Sequence, residues 1–135
     1  MFRKRWGVMA VVTAVILLSG GNTAYAAEQF SGSYFGTGFD AYEAQTMEKS
    51  DGWSNGDMFD CTWSGANVGF SGGIMNLSIT GNRQSGYRGA EYRTRKTYGF
   101  GMYDVSMKPI SNVGVVSSFF TYTGPSDGTV WDEID

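Results

Sequence analysis

Short runs of alternating apolar and polar residues dominate the chain from residue 58 onwards. They are MFDCTW, NVGFS, IMNLSIT, AEYRTRKTYGFGMYDVSMKP and GVVSSFFTYTG. Sequences rich in glycine, asparagine and serine, such as SGG and GNRQSG, separate these runs and are typical of turns. No long segment has apolar residues at helical spacing. The pattern therefore predicts an all-β fold, most simply an antiparallel β-sandwich.

The first 26 residues have a different pattern. The basic FRKRW precedes the apolar GVMAVVTAVILL, and Ala24-Tyr25-Ala26 has the small residues of a cleavage site. These features predict a signal peptide over 1–26, a domain over 27–135 and a secreted, extracellular protein. The apolar run is short for a membrane span, so an uncleaved anchor is the weaker alternative.

The amino-acid composition excludes several types of catalytic and metal site. The chain has 20 glycines, 2 prolines, no histidine and one cysteine, Cys61. A Ser-His-Asp triad, a Cys-His pair and a His-ligated metal are thus excluded. The formal charge is −3, and it becomes −6 when Arg3, Lys4 and Arg5 leave with the leader, so a nucleic-acid partner is not expected. Carboxylates, tyrosine and lysine remain for catalysis.

The sequence VWDEID at the C-terminal end concentrates acidic residues. On a strand, Trp131, Glu133 and Asp135 share one face, because successive side chains point to opposite sides. Like charges on one face are costly in a core. The stretch is therefore either a solvated edge strand or a carboxylate array in a catalytic cleft.

Other strands also place aromatic and polar residues together. In AEYRT, Glu91 and Arg93 share one face and Tyr92 the other, which also suits a surface ion pair of little energetic weight. Gly99-Phe100-Gly101 is predicted to lie within a strand, where glycine often marks a bulge. Together with the acids, such a face resembles surfaces that bind sugar rings by stacking and hydrogen bonding.

Longer motifs carry a resemblance to a known family. The runs EKSDGWSNGDMFDCTW, AEYRTRKTYGFGMYDVSMKP and MKPISNVGVVSSFFTYTGPSDGTVWDEID closely resemble the bacterial lichenases, endo-β-1,3-1,4-glucanases of glycoside hydrolase family sixteen. The resemblance covers nearly all of residues 47–135. It implies a jelly-roll sandwich with a concave cleft for a linear glucan, and a retaining double displacement.

The resemblance also implies roles for individual residues. Glu133 matches the catalytic nucleophile and Asp135 the assisting aspartate of the family's E-I-D-I-E motif, whose final glutamate, the acid/base, would come two positions beyond Asp135. We therefore expect an N-terminal fragment that is inactive and poorly folded alone. The implied substrate-binding residues are Trp53, Asn55, Glu91, Arg93, Phe120, Tyr122 and Trp131, with Trp53 in place of the tyrosine often found there.

Two structural features of the family are altered in this chain. Many relatives pair a cysteine at the position of Cys61 with one at the position of Gly89, and that disulfide cannot form here. The family's structural calcium is bound partly by backbone near Gly73 and by a carboxylate that would lie beyond Asp135. Calcium is therefore expected only in a full-length protein, and catalysis is expected to need no cofactor.

The expected partner is a polysaccharide, mixed-linkage β-glucan, bound by a monomer without nucleic acid and, after signal cleavage, without membrane. Two alternatives stay open. One is a non-catalytic β-sandwich that binds glucan, and the other is a related enzyme acting on laminarin or a galactan.

Overall fold

The computed structural model describes residues 35–135 and the backbone of Trp6–Val8. Three short 3-10 turns occupy Asp57–Phe59, Gly65–Asn67 and Pro125–Asp127. Among these residues there is no α-helix, which confirms the all-β prediction. The strands are β1 Trp6–Val8, β2 Met47–Lys49, β3 Cys61–Trp63, β4 Val68–Ser71, β5 Ile74–Leu77, β6 Thr80–Asn82, β7 Gly86–Gly89, β8 Tyr92–Thr94, β9 Thr97–Tyr98, β10 Thr121–Thr123 and β11 Asp132–Ile134.

The described strands pair into four sheets, with the orders β11-β10-β1-β9, β2-β8, β3-β7-β6 and β4-β5. Most neighbours are antiparallel, as predicted, but β3 and β7 run parallel, with Cys61 opposite Tyr87 and Trp63 opposite Gly89. The chain between them forms the β4–β5 hairpin and β6, and this long connection lets β7 return in the same direction as β3.

The strand boundaries differ from the prediction in three places. β2 lies in a segment that shows no clear alternation, and β7 begins in GNRQSG, which was predicted to be a turn. In the opposite sense, residues 99–120 form no strand, so the prediction that Gly99-Phe100-Gly101 lies within a strand is wrong. A strand needs a neighbour for its backbone hydrogen bonds, and residues 99–120 pair with no other described strand.

The β4–β5 hairpin shows the turn chemistry that the sequence predicts. Gly72 and Gly73 connect Ser71 to Ile74 and have φ angles of 60° and 71°. Two consecutive positive φ angles match the twist of a two-residue hairpin turn, and glycine adopts them without steric cost.

A small hydrophobic core surrounds Tyr92, which is completely buried. Its ring packs edge-on against Phe39, Tyr42 and Phe70, with centroid distances of 6.3, 6.1 and 5.3 Å. Its hydroxyl accepts a hydrogen bond of 3.1 Å from the backbone N–H of Glu43. The buried hydrophobic residues of this core are Phe39, Met47, Val68 and Tyr92. Tyr92 thus joins β8, the β4–β5 hairpin and the segment before β2.

The β2–β8 pair has two distinct faces. Met47 lies opposite Thr94 and Lys49 opposite Tyr92, on the face that covers the core. Glu48 lies opposite Arg93 on the other face. This confirms the prediction that Arg93 and Tyr92 point to opposite sides.

The predicted signal peptide lies outside the described residues, apart from the backbone of Trp6–Val8. That strand pairs antiparallel with both β9 and β10. None of the described helical segments has the length and apolar character to cross a bilayer.

Cys61 and Gly89 lie side by side on β3 and β7. A Cβ atom placed on Gly89 would be 2.8 Å from Cys61 Sγ and 3.0 Å from Trp63 Cζ3. In a disulfide, the Cβ atom of one cysteine lies about 3 Å from the sulfur of the other. The backbone thus keeps a separation that suits a disulfide, although this chain has only one cysteine, Cys61.

We predict that Gly89→Cys forms a disulfide with Cys61 under mild oxidation. For a loop of about 28 residues, the chain-entropy argument gives about 3.5 kcal/mol of added stability, less the strain from moving the Trp63 ring. Thiol titration and urea unfolding of the full-length gene product, with and without reductant, measure both effects. Gly89→Ala is the matched control: it adds the Cβ without a thiol and should destabilise the protein. Two free thiols in the oxidised variant would contradict the prediction.

Candidate functional site

Glu133 is held between two aromatic residues on the β10–β11 hairpin. Glu133 lies directly opposite Tyr122 in the β10–β11 register. Trp131 Nε1–H donates a hydrogen bond of 3.1 Å to Glu133 Oε2. The Tyr122 and Trp131 rings pack edge to face with centroids 6.1 Å apart. The structure therefore places Trp131 and Glu133 together, as the alternation of the strand predicted.

These side chains are accessible from solvent. Trp131 is 67% exposed and Glu133 is also exposed, whereas the flanking β10 residues Thr121 and Thr123 are buried. A carboxylate held by an indole N–H beside open aromatic faces can approach a sugar ring, because sugar C–H patches stack on such faces. The cluster can serve both as a binding platform and as a source of a nucleophilic oxygen.

Phe120 and Asp135 border a cavity of about 300 Å³ next to this hairpin. Its wall is mainly aromatic and apolar, with Phe100, Tyr103, Phe119 and Ile134 as further lining residues. Asp135 is the acidic residue in the lining. The structure thus brings two more of the predicted site residues to one cavity.

A second group of predicted site residues forms around Trp53. The Arg93 guanidinium lies over the Trp53 ring, with Cζ 5.3 Å from the ring centroid. Trp63 packs edge-on against Trp53 at 6.2 Å, and its Nε1–H donates to Asn55 Oδ1 at 3.2 Å. Arg93 therefore contacts Trp53 directly, and Trp63, which the sequence did not single out, links Trp53 to Asn55. We name Trp53, Trp63, Asn55 and Arg93 the indole platform.

Glu91 occupies a different environment from the rest of this group. It is only 4% exposed, and its Oε1 accepts a short hydrogen bond from Ser50 Oγ. Arg93 Nε is 4.0 Å away. Burial raises the pKa of Glu91 above its usual value of 4.5, and the Ser50 bond and Arg93 oppose this rise. The interpretation of Glu91 and Arg93 as a surface ion pair is therefore inadequate, because the Glu91 side chain is buried.

Charged residues on β2 and beyond β8 complete this surface. Glu48 Oε1 accepts from Arg93 Nε at 2.5 Å and also contacts a terminal nitrogen of Arg93. Glu48 Oε2 accepts from Arg95 Nη1 at 2.9 Å. Glu48, Ser50 and Arg95 were missed by the sequence reasoning. Only the β2–β8 register would have revealed them, and β2 has no clear sequence pattern.

Gly73, the predicted backbone ligand for calcium, lies in the β4–β5 turn. A Cβ atom on Gly73 would be 3.3 Å from Asp40 Oδ1, and one on Gly38 would be 2.9 Å from Asp40 Oδ2. The Asp40 carboxylate is therefore next to two glycine segments. In the part of the chain described by the structure, no three His, Cys, Asp or Glu side chains are grouped as metal ligands.

A sheet that carries an acid beside aromatic residues suits the binding of carbohydrate. Comparison with known proteins identifies the family. The model of glycosyl hydrolases family 16 matches residues 55–135, and the chain belongs to this family. It is 45% identical over 136 residues to a β-glucanase of Paenibacillus polymyxa, and 46% identical over 135 residues to one of Bacillus licheniformis.

Solved structures agree with this assignment. A β-1,3-1,4-glucanase (lichenase) from a mouse hindgut metagenome has a TM-score of 0.70 and 56% identity, over 73% of this chain and 48% of that one. The B. licheniformis β-glucanase also has a TM-score of 0.70, with 50% identity over 78% of this chain and 49% of its own. The fold is thus the β-sandwich jelly roll of these enzymes. The chain spans about half the length of the curated relatives, 55% of each of the two named above.

We predict that Glu91→Gln makes stability less dependent on pH. Because the pKa of Glu91 is raised in the folded state, the native protein binds more protons than the unfolded chain just above pH 4.5. The contribution of Glu91 to stability is therefore present at low pH and is lost as pH rises towards the raised pKa. Glutamine does not titrate, so the variant should lose less stability than the wild type between pH 4.5 and 7.

Urea unfolding of the full-length gene product at half-unit pH intervals measures this difference. Asp60→Asn is the matched control, because Asp60 is exposed, carries the same charge and has a φ angle of 45° that asparagine tolerates. The control should keep the wild-type pH dependence. Parallel curves for Glu91→Gln and the wild type would refute the prediction.

Proposed function

We propose that the full-length gene product is a secreted endo-β-1,3-1,4-glucanase that hydrolyses mixed-linkage β-glucan with retention of configuration. The observation that supports this most directly is the position of Glu133, bonded to the Trp131 indole and opposite Tyr122 on an exposed hairpin. Membership of glycosyl hydrolases family 16 and the similarity to a β-1,3-1,4-glucanase support the substrate class.

In the proposed reaction, a Glu133 oxygen attacks the anomeric carbon and forms a glucosyl ester as the glycosidic C–O bond breaks. A protonated acid gives its proton to the departing sugar oxygen. It then removes a proton from the water that cleaves the ester, which regenerates Glu133. By resemblance this acid/base is a glutamate two positions beyond Asp135.

The residues next to Glu133 support its role as nucleophile. The Trp131 N–H bond orients the carboxyl group through Oε2 and leaves the other oxygen, Oε1, for attack. Asp135 is two positions from Glu133 on the same face. It would favour the protonated form of the acid/base glutamate, because closely spaced carboxylates do not all ionise readily.

Glucosyl units are proposed to bind at both aromatic groups. Tyr122, Trp131 and Phe120 would hold the sugar near the reacting bond, whereas the indole platform would hold a more distant unit by stacking and by hydrogen bonds from Arg93. Glu91 is buried, so we propose that it acts mainly by orienting its neighbours. Contacts with a distant glucosyl unit can help to orient the glycosidic bond that reacts.

A structural calcium ion is also proposed for the full-length product. Calcium prefers oxygen ligands, and the Asp40 carboxylate beside the Gly73 turn provides them in this chain. Asp40 and the backbone near Gly73 would hold the ion, with its role limited to stabilising the fold. A monomer that needs no cofactor for catalysis completes the proposal.

A glucan-binding protein without catalysis is the alternative favoured by one observation. Trp53 and Trp131 are both exposed beside hydrogen-bonded polar groups, and such a surface binds glucan whether or not a reaction follows. The sequence of the gene after Asp135 separates the two, since the enzyme needs a glutamate at the second position.

We predict that the full-length product cuts barley β-glucan far faster than cellulose or a pure β-1,3-glucan such as laminarin. A mixed-linkage chain is kinked and suits a curved cleft, whereas cellulose lacks the kink and a pure β-1,3-glucan has no β-1,4 bond to place at Glu133. Reducing-sugar release from these three polymers and from a galactan, at equal mass, tests this. Comparable rates would assign the protein to a different specificity, and release from a galactan alone would do the same.

We predict that Glu133→Ala abolishes hydrolysis in the full-length product and leaves glucan binding nearly unchanged. The attacking oxygen is lost, whereas the aromatic residues remain. Added azide should enter the vacated space, restore part of the turnover and give a glycosyl azide of inverted configuration. Trp131→Phe is the companion variant: it keeps the ring but removes the N–H bond, and should lower kcat by about tenfold or more. Full activity of Glu133→Ala without azide would disprove the assignment.

A further inference from the structure

Glu48 lies on the polar face of the β2–β8 pair. It was not identified from the sequence, and the proposed reaction gives it no role. Glu48 is the cross-strand partner of Arg93, so their side chains leave the sheet side by side on the face opposite the core. Arg93 is one of the four residues of the indole platform. The contacts of Glu48 therefore bear on how that platform is held.

Glu48 uses its two carboxylate oxygens for two different arginines. Oε1 contacts Arg93 through both Nε, at 2.5 Å, and a terminal nitrogen, and Oε2 bonds Arg95 Nη1 at 2.9 Å. Arg95 is held from a second side, because its Nε donates to the Ala44 carbonyl at 3.0 Å. One carboxylate thus fixes Arg93, bridges two neighbouring guanidinium groups and offsets part of their positive charge.

The other contacts of Arg93 are weaker. The Glu91 oxygen is 4.0 Å from Arg93 Nε, which is too far for a hydrogen bond, and Glu91 is bonded to Ser50. The Trp53 ring centroid is 5.3 Å away. The Arg93 side chain is 45% exposed and would otherwise sample many rotamers, which costs about 1 to 2 kcal/mol to restrict when a ligand binds.

We propose that Glu48 is a positioning residue for glucan binding. It holds Arg93 against the face of Trp53, so that the stacking surface and the guanidinium donors are in place before a sugar arrives. Binding to an ordered platform costs less entropy than binding that must order it. This inference rests on the proposed function, because glucan is the ligand in both.

The test uses Glu48→Gln in the full-length gene product. Glutamine has nearly the same shape but no charge, so the Arg93 pair is weakened without a cavity. We expect the Kd for barley β-glucan, measured by affinity electrophoresis, and the KM to rise about three- to fivefold, with kcat within about twofold. Acrylamide quenching of tryptophan fluorescence should increase as Trp53 loses its guanidinium cover. Asp104→Asn, which removes an exposed acid outside the indole platform and the β10–β11 hairpin, should change none of these.

A double-mutant cycle separates positioning from a general structural effect. If Glu48 acts through Arg93, then Glu48→Gln should have no further effect on glucan binding in an Arg93→Gln background. Arg93→Lys tests the same contact without altering Glu48. It keeps the charge but loses the planar, bidentate group, and should weaken binding to a similar extent.

The outcomes distinguish this inference from the proposed function. Equal glucan binding by the wild type and Glu48→Gln overturns the inference and leaves the function standing. A full-sized effect of Glu48→Gln in the Arg93→Gln background also overturns it, because Glu48 would then act elsewhere. If the wild type binds no glucan at all, the proposed function fails, and the role of Glu48 in glucan binding fails with it.

Discussion

The burial of Tyr92 is the interaction on which the described structure most depends. Its ring fills the space between Phe39, Tyr42 and Phe70, and its hydroxyl satisfies the backbone N–H of Glu43. A buried tyrosine requires a partner for its hydroxyl, and this one finds it 49 residues away in the chain. The core is small, so the loss of one such contact affects several elements at once. Tyr92 also fixes the orientation of β8, and hence the direction in which Arg93 and Glu91 point.

The β2–β8 pair links this packing to the charged residues on the opposite face of the sheet. Because side chains alternate across a strand, burying Met47 and Tyr92 forces Glu48 and Arg93 onto the opposite side. The core and the polar network are therefore two consequences of one register. A one-residue slip of β2 would place Glu48 in the core and would separate Arg93 from its carboxylate. Burial of Met47 and Tyr92 thus sets the positions of Glu48 and Arg93, although these charged residues lie on the opposite face of the pair.

The sequence predicted some of these features well and others not at all. The all-β fold, the Gly72-Gly73 turn and the shared side of Trp131 and Glu133 all follow from local rules: strand alternation, positive φ angles and the absence of helical spacing. The roles of Glu48, Ser50 and Trp63 depend on which strands become neighbours, and no local rule specifies that. Glu91 shows the same limit, since the alternation of AEYRT does not reveal that its side chain is buried and bonded to Ser50.

The segment 99–120 shows why a good strand pattern is not sufficient. Most of it belongs to the runs AEYRTRKTYGFGMYDVSMKP and GVVSSFFTYTG, which were predicted to be strands, yet Phe100 is 92% exposed and Val116 is 77% exposed. Alternating apolar residues stabilise a strand only where a second surface covers them and a neighbouring strand completes the backbone hydrogen bonds. β10 has such a neighbour in β11, whose Glu133 faces Tyr122. Within the described residues, the strands that form are therefore those with a pairing partner, and the hairpin that carries Glu133 is one of them.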